Sequence, residues 1–262
     1  YDRDDGGRMT KRTEADGFAL VYERDAAGRL SRVLDGSASL IVSYEYDAAG
    51  RLSLERKGNG TSTHYRYDAA GRVESLENRG PASESLSSFA YTYDANGNPL
   101  SMATAAGTTL YRYDAASRLV GVTRPGGEQT TFEWDSSGNR VTVTESSTAT
   151  AYTHDALNRM LTAGRATFDY DAAGQLIRRT DGSGTTTYDW DAQGQLVRVV
   201  HPTLGTYTYE YDPLGRRVAE HHEAQSRVWP WDGWTITAEH DGAGQLVARF
   251  VAGLGLVARI DG

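Results

Sequence analysis

The sequence predicts an all-β protein made of tandem β-hairpins. Three observations predict it. A Tyr-Asp-Ala-Ala-Gly-Arg-Leu string, complete at residues 46–52, recurs in varied form from one end of the chain to the other. Aromatic residues stand at alternate positions before each repeat Asp, the period of a strand. Glycine (29) and tyrosine (16) are abundant, while only 6 of the 262 residues are proline. Short strands and tight turns have that composition, and disordered segments do not.

Aligned on its Asp, the unit occurs twelve times, at Asp4, Asp25, Asp47, Asp68, Asp94, Asp114, Asp135, Asp155, Asp171, Asp191, Asp212 and Asp241. Most spacings are 20 to 22 residues; the exceptions are 26, 16 and 29. A fixed period of this size is the mark of a repeat architecture. The repeat runs end to end, so residues 1–262 read as a single region.

Each position has a physical task. Three residues after the Asp comes Gly in ten copies, as in the pairs Asp25/Gly28, Asp47/Gly50, Asp68/Gly71, Asp94/Gly97, Asp171/Gly174 and Asp191/Gly194. Asp first and Gly fourth is the type I turn signature, with the glycine taking a left-handed conformation in a bulge that closes the hairpin. The exceptions are Ser117 and Asn158, and local distortion is expected at Ser117. Three residues before the Asp an aromatic stands in eleven copies, and one residue before it Tyr or Trp stands in eight. These rings share a face of the incoming strand and are expected to stack from repeat to repeat as tyrosine ladders. The returning strand opens on an aliphatic residue or Met in nine copies, Leu30 and Leu52 among them.

About 21 residues hold two strands, a turn and a short return, so the chain should supply about two dozen strands. Laid flat at about 4.8 Å per strand they would span about 110 Å. A twisted sheet of that width must curl or split. The expectation is one long, strongly curled antiparallel sheet, a spiral or a shell segment.

Composition excludes several functions. Lys and Arg total 27 against 35 Asp and Glu, a net charge of −8, which speaks against nucleic-acid binding. There is no cysteine, hence no disulfide framework, thiolate zinc site or thiol nucleophile. No apolar run is long enough for a transmembrane helix. The chain opens on charged residues without a leader pattern, as the interior of a longer polypeptide would.

The tandem Tyr-Asp-x-x-Gly-Arg-Leu unit resembles the YD-repeat, or RHS-repeat, family over nearly the whole chain. The C-terminal stretch 227–262, with Trp229-Pro230-Trp231-Asp232-Gly233-Trp234 and Gly244-Gln245-Leu246-Val247, resembles the approach to the RHS core. In that family the repeats spiral into a hollow shell. Bacterial polymorphic toxins and insecticidal toxin complexes keep a toxic segment in it, and teneurins use a related shell in adhesion. The resemblance implies a non-catalytic shell segment of a secreted or surface bacterial protein, with a polypeptide cargo or further parts of the same longer protein as partners. The family's plug, self-cleavage site and variable toxin would lie beyond Gly262.

Candidate chemistry is sparse. The repeat Asp residues are best read as turn formers. Asp169/Asp171 and Asp189/Asp191 resemble calcium loops but place Thr180 and Val200 where a bidentate Glu is required. His221-His222-Glu223 is the one metal-like cluster, and adjacent strand residues face opposite ways. No nucleophile elbow, phosphate-binding loop or zinc-protease motif is present. The reading is therefore of no enzyme, no cofactor and no metal. Trp229, Trp231 and Trp234 are either a terminal aromatic cap or a platform for sugar rings, and the latter makes a glycan- or partner-binding surface module the second reading. Open strand edges also permit edge-to-edge self-association.

Overall fold

The computed structural model describes residues 1–14 and 16–261. Among them every regular element is a strand: there are 28, and 26 belong to one antiparallel sheet. Strands pair with their chain neighbours, hairpin after hairpin. Leu40–Tyr46 pairs with Leu52–Lys57, which pairs with Ser62–Tyr67, which pairs with Val73–Arg79. One pairing skips a segment: Gln225–Val228 pairs with Ala238–Asp241, and the small hairpin of Trp231–Asp232 with Thr235–Ile236 stands between them.

The register explains the repeat. In the Asp47 hairpin Glu45 faces Leu54, and then the register shifts so that Tyr46 faces Leu52. The same shift precedes Asp25, Asp68, Asp171, Asp191 and Asp212. It is the bulge that a type I turn followed by a left-handed residue imposes. Gly50, at φ 80°, is that residue. Gly28, Gly71, Gly97, Gly174 and Gly194 stand in the equivalent place of their turns, at φ 78°, 83°, 91°, 85° and 79°. The N–H of each donates to the carbonyl of its repeat Asp, over 2.9 Å at Gly28, 3.0 Å at Gly71, 3.2 Å at Gly97 and 3.1 Å at Gly174 and Gly194.

Ser117 and Asn158 adopt the same conformation, at φ 60° and 61°. Contrary to the distortion expected at Ser117, its turn keeps the standard bonds: Ser117 N–H donates to the Asp114 carbonyl at 3.0 Å and Asp114 N–H to that of Arg118 at 3.0 Å. The backbone strain is absorbed in one dihedral angle.

Close contacts divide the chain into two units. The first comprises residues 1–128 and 252–258, the second residues 129–251 and 259–262. In the first, Leu20, Val33 and Val42 are fully buried and Tyr44 is 4 % exposed. Its late segment reaches Tyr44: the Leu254 N–H donates to the Tyr44 hydroxyl at 3.1 Å, and the backbone of Gly253 lies too close to that ring to leave room for a side chain. Burial pushes the Tyr44 phenol up to about 12. In the second unit the buried set is smaller-chained, with Val143, Ala219, Ala238, Ala248 and Val251. Most strand residues elsewhere are half-buried, so cohesion rests on neighbour-to-neighbour contacts more than on a deep core.

Candidate functional site

The repeated turn is the feature with the most developed polar geometry. Asp47 shows it. One carboxylate oxygen accepts the N–H groups of Ala49 and Arg51, each at 2.9 Å, and the other accepts the Arg51 Nε–H at 2.7 Å. The N–H of Gly50 closes the turn on the Asp47 carbonyl at 2.9 Å. Asp25 with Arg29, Asp68 with Arg72, Asp114 with Arg118, and Asp155 with Arg159 repeat the pattern at 2.7 Å. Asp94 accepts instead from Asn98, and Asp171 and Asp191 accept the backbone N–H groups of Gln175 and Gln195. The Arg51 N–H, and after the opposing desolvation the Arg51 guanidinium, hold Asp47 below its ordinary 3.8. Arg72 does the same for Asp68. Asp47 and Asp68, each accepting donors on both carboxylate oxygens of a turn, are thus committed to that turn.

The turn glycines differ in what surrounds them. A Cβ on Gly28 would collide with the Arg8 guanidinium. On Gly71 or Gly174 it would make ordinary contact with the arginine of the preceding turn, at 3.7 Å from Arg51 and 3.9 Å from Arg159, and on Gly97 it would meet open space. The Arg8 guanidinium is the far end of a flexible, exposed side chain that can swing aside, so at Gly28, as at Gly71, Gly97 and Gly174, the left-handed backbone makes the demand for glycine.

The arginine that closes one turn also reaches the next repeat. Arg29 lies 4.3 Å from the ring centroid of Tyr46, Arg51 4.5 Å from that of Tyr67, and Arg72 4.6 Å from that of Tyr93. Arg72 further donates to the Asp94 carbonyl at 2.9 Å. Each ring then bonds back to the first residue of the returning strand before it. The Tyr46 hydroxyl donates to Leu30 O, that of Tyr67 to Leu52 O and that of Tyr93 to Val73 O, all at 2.7 Å. Tyr170, Trp190 and Tyr211 bond to Met160, Leu176 and Leu196 in the same way. The expected ladder of tyrosine on tyrosine is thus a ladder of tyrosine on arginine. The chain supplies a cation at these places where a ring would otherwise meet a ring, and the contact adds charge–quadrupole attraction to packing. His154, in the ring position, cannot reproduce the bond, and its Nδ1 is buried without a partner.

The three tryptophans are placed differently from one another. Trp231 lies under Arg216, 5.6 Å from its guanidinium carbon, and donates to Arg217 O at 2.9 Å. Arg216 also bonds the Gly233 carbonyl. These are the contacts of a repeat ring, and Trp229 and Trp231 stand three and one residues before Asp232, which follows Asp212 by 20 residues. Asp232 therefore marks a thirteenth unit with its turn shortened to Gly233-Trp234, where Asp232 pairs directly with Thr235. The long gap before Asp241 holds this unit. The two rings before Asp232 signalled it in the sequence; the missing Gly at its fourth turn position concealed it. Trp229 packs against Arg217 at 5.2 Å and reaches Glu239 at 3.4 Å. Trp234 alone stands free at the tip, 77 % exposed.

The histidine pair divides between faces. His221 lies within hydrogen-bonding distance of Ser226 and Glu210, at 2.8 and 3.1 Å. His222 stacks on Tyr207 with centroids 4.0 Å apart. Among the described residues no group of three or more His, Asp or Glu side chains is placed to hold a metal ion.

A meander of similar hairpins, clasped turn to turn, with polar groups consumed by the clasp, defines a structural repeat protein. Comparison with known proteins agrees. Residues 100–228 match the family model of the teneurin YD-shell, and residues 24–61 and 46–80 match that of the RHS repeat. The chain belongs to the YD-repeat, or RHS-repeat, family. No curated protein matches it. Solved structures that resemble it include the Photorhabdus luminescens Tc holotoxin pore with a TccC3-D651A mutation, at TM-score 0.58 and 17 % identity. The complexes TcdB2-TccC3-Cdc42 and TcdB2-TccC3-TEV resemble it at TM-scores of 0.58 and 0.59 with 17 % and 18 % identity. Each match covers 98 % of this chain but 18 % of the other, so the chain spans about a fifth of the length of these relatives.

Proposed function

We propose that the chain is a wall segment of a YD-repeat shell that encloses or presents a secreted effector or toxin polypeptide. Its role is steric and mechanical, without catalysis, outside the cell that makes it. The observation that carries the reading is the clasp. The repeat Asp residues from Asp25 to Asp191 are bonded to their own turn, and the rings of Tyr46, Tyr67, Tyr93, Tyr170 and Trp190 to the adjoining hairpin, which suits a continuous wall and leaves little for substrate chemistry. The turn glycines, Gly28, Gly50, Gly71, Gly97, Gly174 and Gly194, serve the same wall by closing each hairpin. The similar structures bear the names of a Tc holotoxin pore and of complexes that join TcdB2 to TccC3, which supports a polypeptide partner. Residues 1–262 would act as one repeat region within a longer protein, with 227–262 as its approach to the core segment. The surface-binding reading keeps one favourable observation, the exposed Trp234 at a hairpin tip.

Mass analysis of the natively purified protein, intact and after denaturation, tests the container reading. The expected result is a second polypeptide that separates only on denaturation. A single species in both conditions overturns enclosure and turns attention to Trp234, whose fluorescence would then be titrated with sugars.

A further inference from the structure

One recess in the first unit is not used by the clasp. It has a volume of about 580 Å³ and lies over the strands Ser62–Tyr67, Val73–Arg79, Ser85–Tyr93 and Pro99–Thr104. We propose that it binds the carboxylate of an acidic peptide segment, with Arg66 as the principal ligand.

The register builds it. Arg66 faces Ser75, Ser75 faces Ala90, and Ala90 faces Ala103. Small side chains therefore make the floor across three strands, beside one long cation. One row along, His64 faces Glu77 and Glu77 faces Ser88, which supplies a wall of hydrogen-bonding groups.

The position of Arg66 holds half of a cross-strand ion pair in some of the other repeats. In three other repeats the residue two before the Asp pairs across the strands: Glu23 with Arg32 at 3.7 Å, Asp169 with Arg178 at 2.8 Å, and Asp189 with Arg198 at 3.1 Å. Arg66 meets a serine there and is exposed. Among the described residues it has no ion-pair partner. Arg112, the arginine at the same position of a later repeat, lies over Gly121 instead. Within the recess Glu77 is already taken by Arg79 at 2.7 Å, and Arg79 Nε is buried without a partner. The recess thus has one uncompensated cation and serine hydroxyls. A carboxylate matches this set in charge and accepts two parallel bonds from one guanidinium.

Chemistry narrows the ligand. Tyr65 and Phe89 also line the recess, but strand alternation turns their rings to the opposite face from Arg66 and Ala90, so a sugar would find no aromatic platform on the face of the cation. A single excess cation on a chain of net charge −8 does not suit a polyphosphate backbone. Glu77 and the serine hydroxyls can instead engage peptide N–H and C=O groups beside an acidic side chain. The site takes such a segment from an enclosed chain or from any other partner, so it stands independently of the container reading.

The test is an NMR titration of the full 262-residue chain with the blocked tripeptide acetyl-Gly-Glu-Gly-amide, following the arginine Nε–H signals. Saturable shifts are expected at Arg66, with affinity falling at least about tenfold for the Gln-containing tripeptide and for Arg66→Gln, and weakening as salt rises. Ala103→Leu, which fills the floor without touching a charge, should weaken binding while the melting temperature is kept. Equal affinity for the Glu and Gln peptides overturns the proposal. So does binding unaffected by Arg66→Gln, saturable binding of glucuronate with none of the peptide, or no saturable shift at all.

Discussion

Asn139 Nδ2 donates to the side-chain oxygen of Asn158 across 2.8 Å, linking one turn to the next. Asn98 makes the matching bond to Ser117 Oγ at 3.1 Å. Among the twelve units aligned on Asp4 to Asp241, Ser117 and Asn158 are the two without Gly at the fourth turn position, and Asn98 and Asn139 are the two with Asn in place of Arg or Gln after it. The pairing has a steric side. A Cβ on Gly50 would lie 3.4 Å from the Arg29 guanidinium, and on Gly194 or Gly215 3.1 Å from the amide nitrogen of Gln175 or Gln195. At Gly28 the approach of Arg8 is closer still. A long side chain reaching forward from one turn crowds the fourth position of the next at these places, though not at Gly71, Gly97, Gly138 or Gly174; before Ser117 and Asn158 the shorter Asn offers a donor instead.

Asn139→Arg alone should therefore destabilise the protein, because it removes the bond to Asn158 and brings a guanidinium against that side chain. Adding Asn158→Gly should recover most of the loss. Urea denaturation of the single and double variants should give a coupling of about 0.5–3 kcal/mol. Additive effects would falsify the steric link.

Gly50 sits at φ 80° beneath Arg29, so two costs meet there. Gly50→Val should lower stability by roughly 1–3 kcal/mol, since a β-branched residue resists the left-handed region. Gly50→Asn should cost less, as Asn adopts that region at Asn158 already. The order of melting temperatures, wild type above Asn above Val, checks this; Val at or above Asn would contradict it.

The two roles of a repeat ring can be separated at Tyr67. Tyr67→Phe removes the bond to Leu52 O but keeps the face offered to Arg51. The expected loss is about 1 kcal/mol, the net contribution of one such bond. Tyr67→Leu removes both and should cost clearly more. Equal losses would mean that arginine stacking contributes nothing.

The turn carboxylates predict where acid acts. Asp47 and Asp68 have folded values below the ordinary 3.8, through the N–H bonds from Arg51 and Arg72 first. A depressed folded value means that the contribution is present above the unfolded value and lost as pH falls through the folded one. Stability should therefore hold down to about pH 4 and decline below it. Asp47→Asn should flatten part of that decline in an acid titration of melting temperature, and an unchanged slope would count against the clasp.

Tyr44 predicts the alkaline side. Its folded value is pushed up to about 12 from 10.0, by burial first. With a raised folded value, the contribution is retained below about pH 10 and lost as pH rises to about 12, here about 2–3 kcal/mol. Tyr44→Phe should start less stable, having lost the bond from Leu254, but show a shallower fall over that window in an alkaline titration of melting temperature. An equally steep fall would rule Tyr44 out as its source.

Much of this protein was legible before any tertiary structure. Asp47 and Gly50, the first and fourth residues of one turn, specify its type, its left-handed residue and its bulge, because turn chemistry is local. Tyr44 and Tyr46, at alternate positions, specify one face of one strand. What touches that face was not legible: the partner of Tyr46 is Arg29, in the hairpin before it, and only pairing between hairpins brings it there. In the same way the motif placed glycine at both Gly28 and Gly97, but only the packed hairpins put an arginine against the first and open space beside the second. The thirteenth unit at Asp232 was hidden because its shortened turn lacks the glycine that identifies ten of the others. Recognition of Trp229 and Trp231 as repeat rings, and the freedom of Trp234, depended on the arginines above them. By itself the sequence determined the hairpin, its period and its register, all set by steric rules within a few residues. The tertiary structure alone decided which side chains the stacked hairpins bring together, and so why Arg66 is left unpaired, because contacts between strands depend on the neighbour's register as well as on their own.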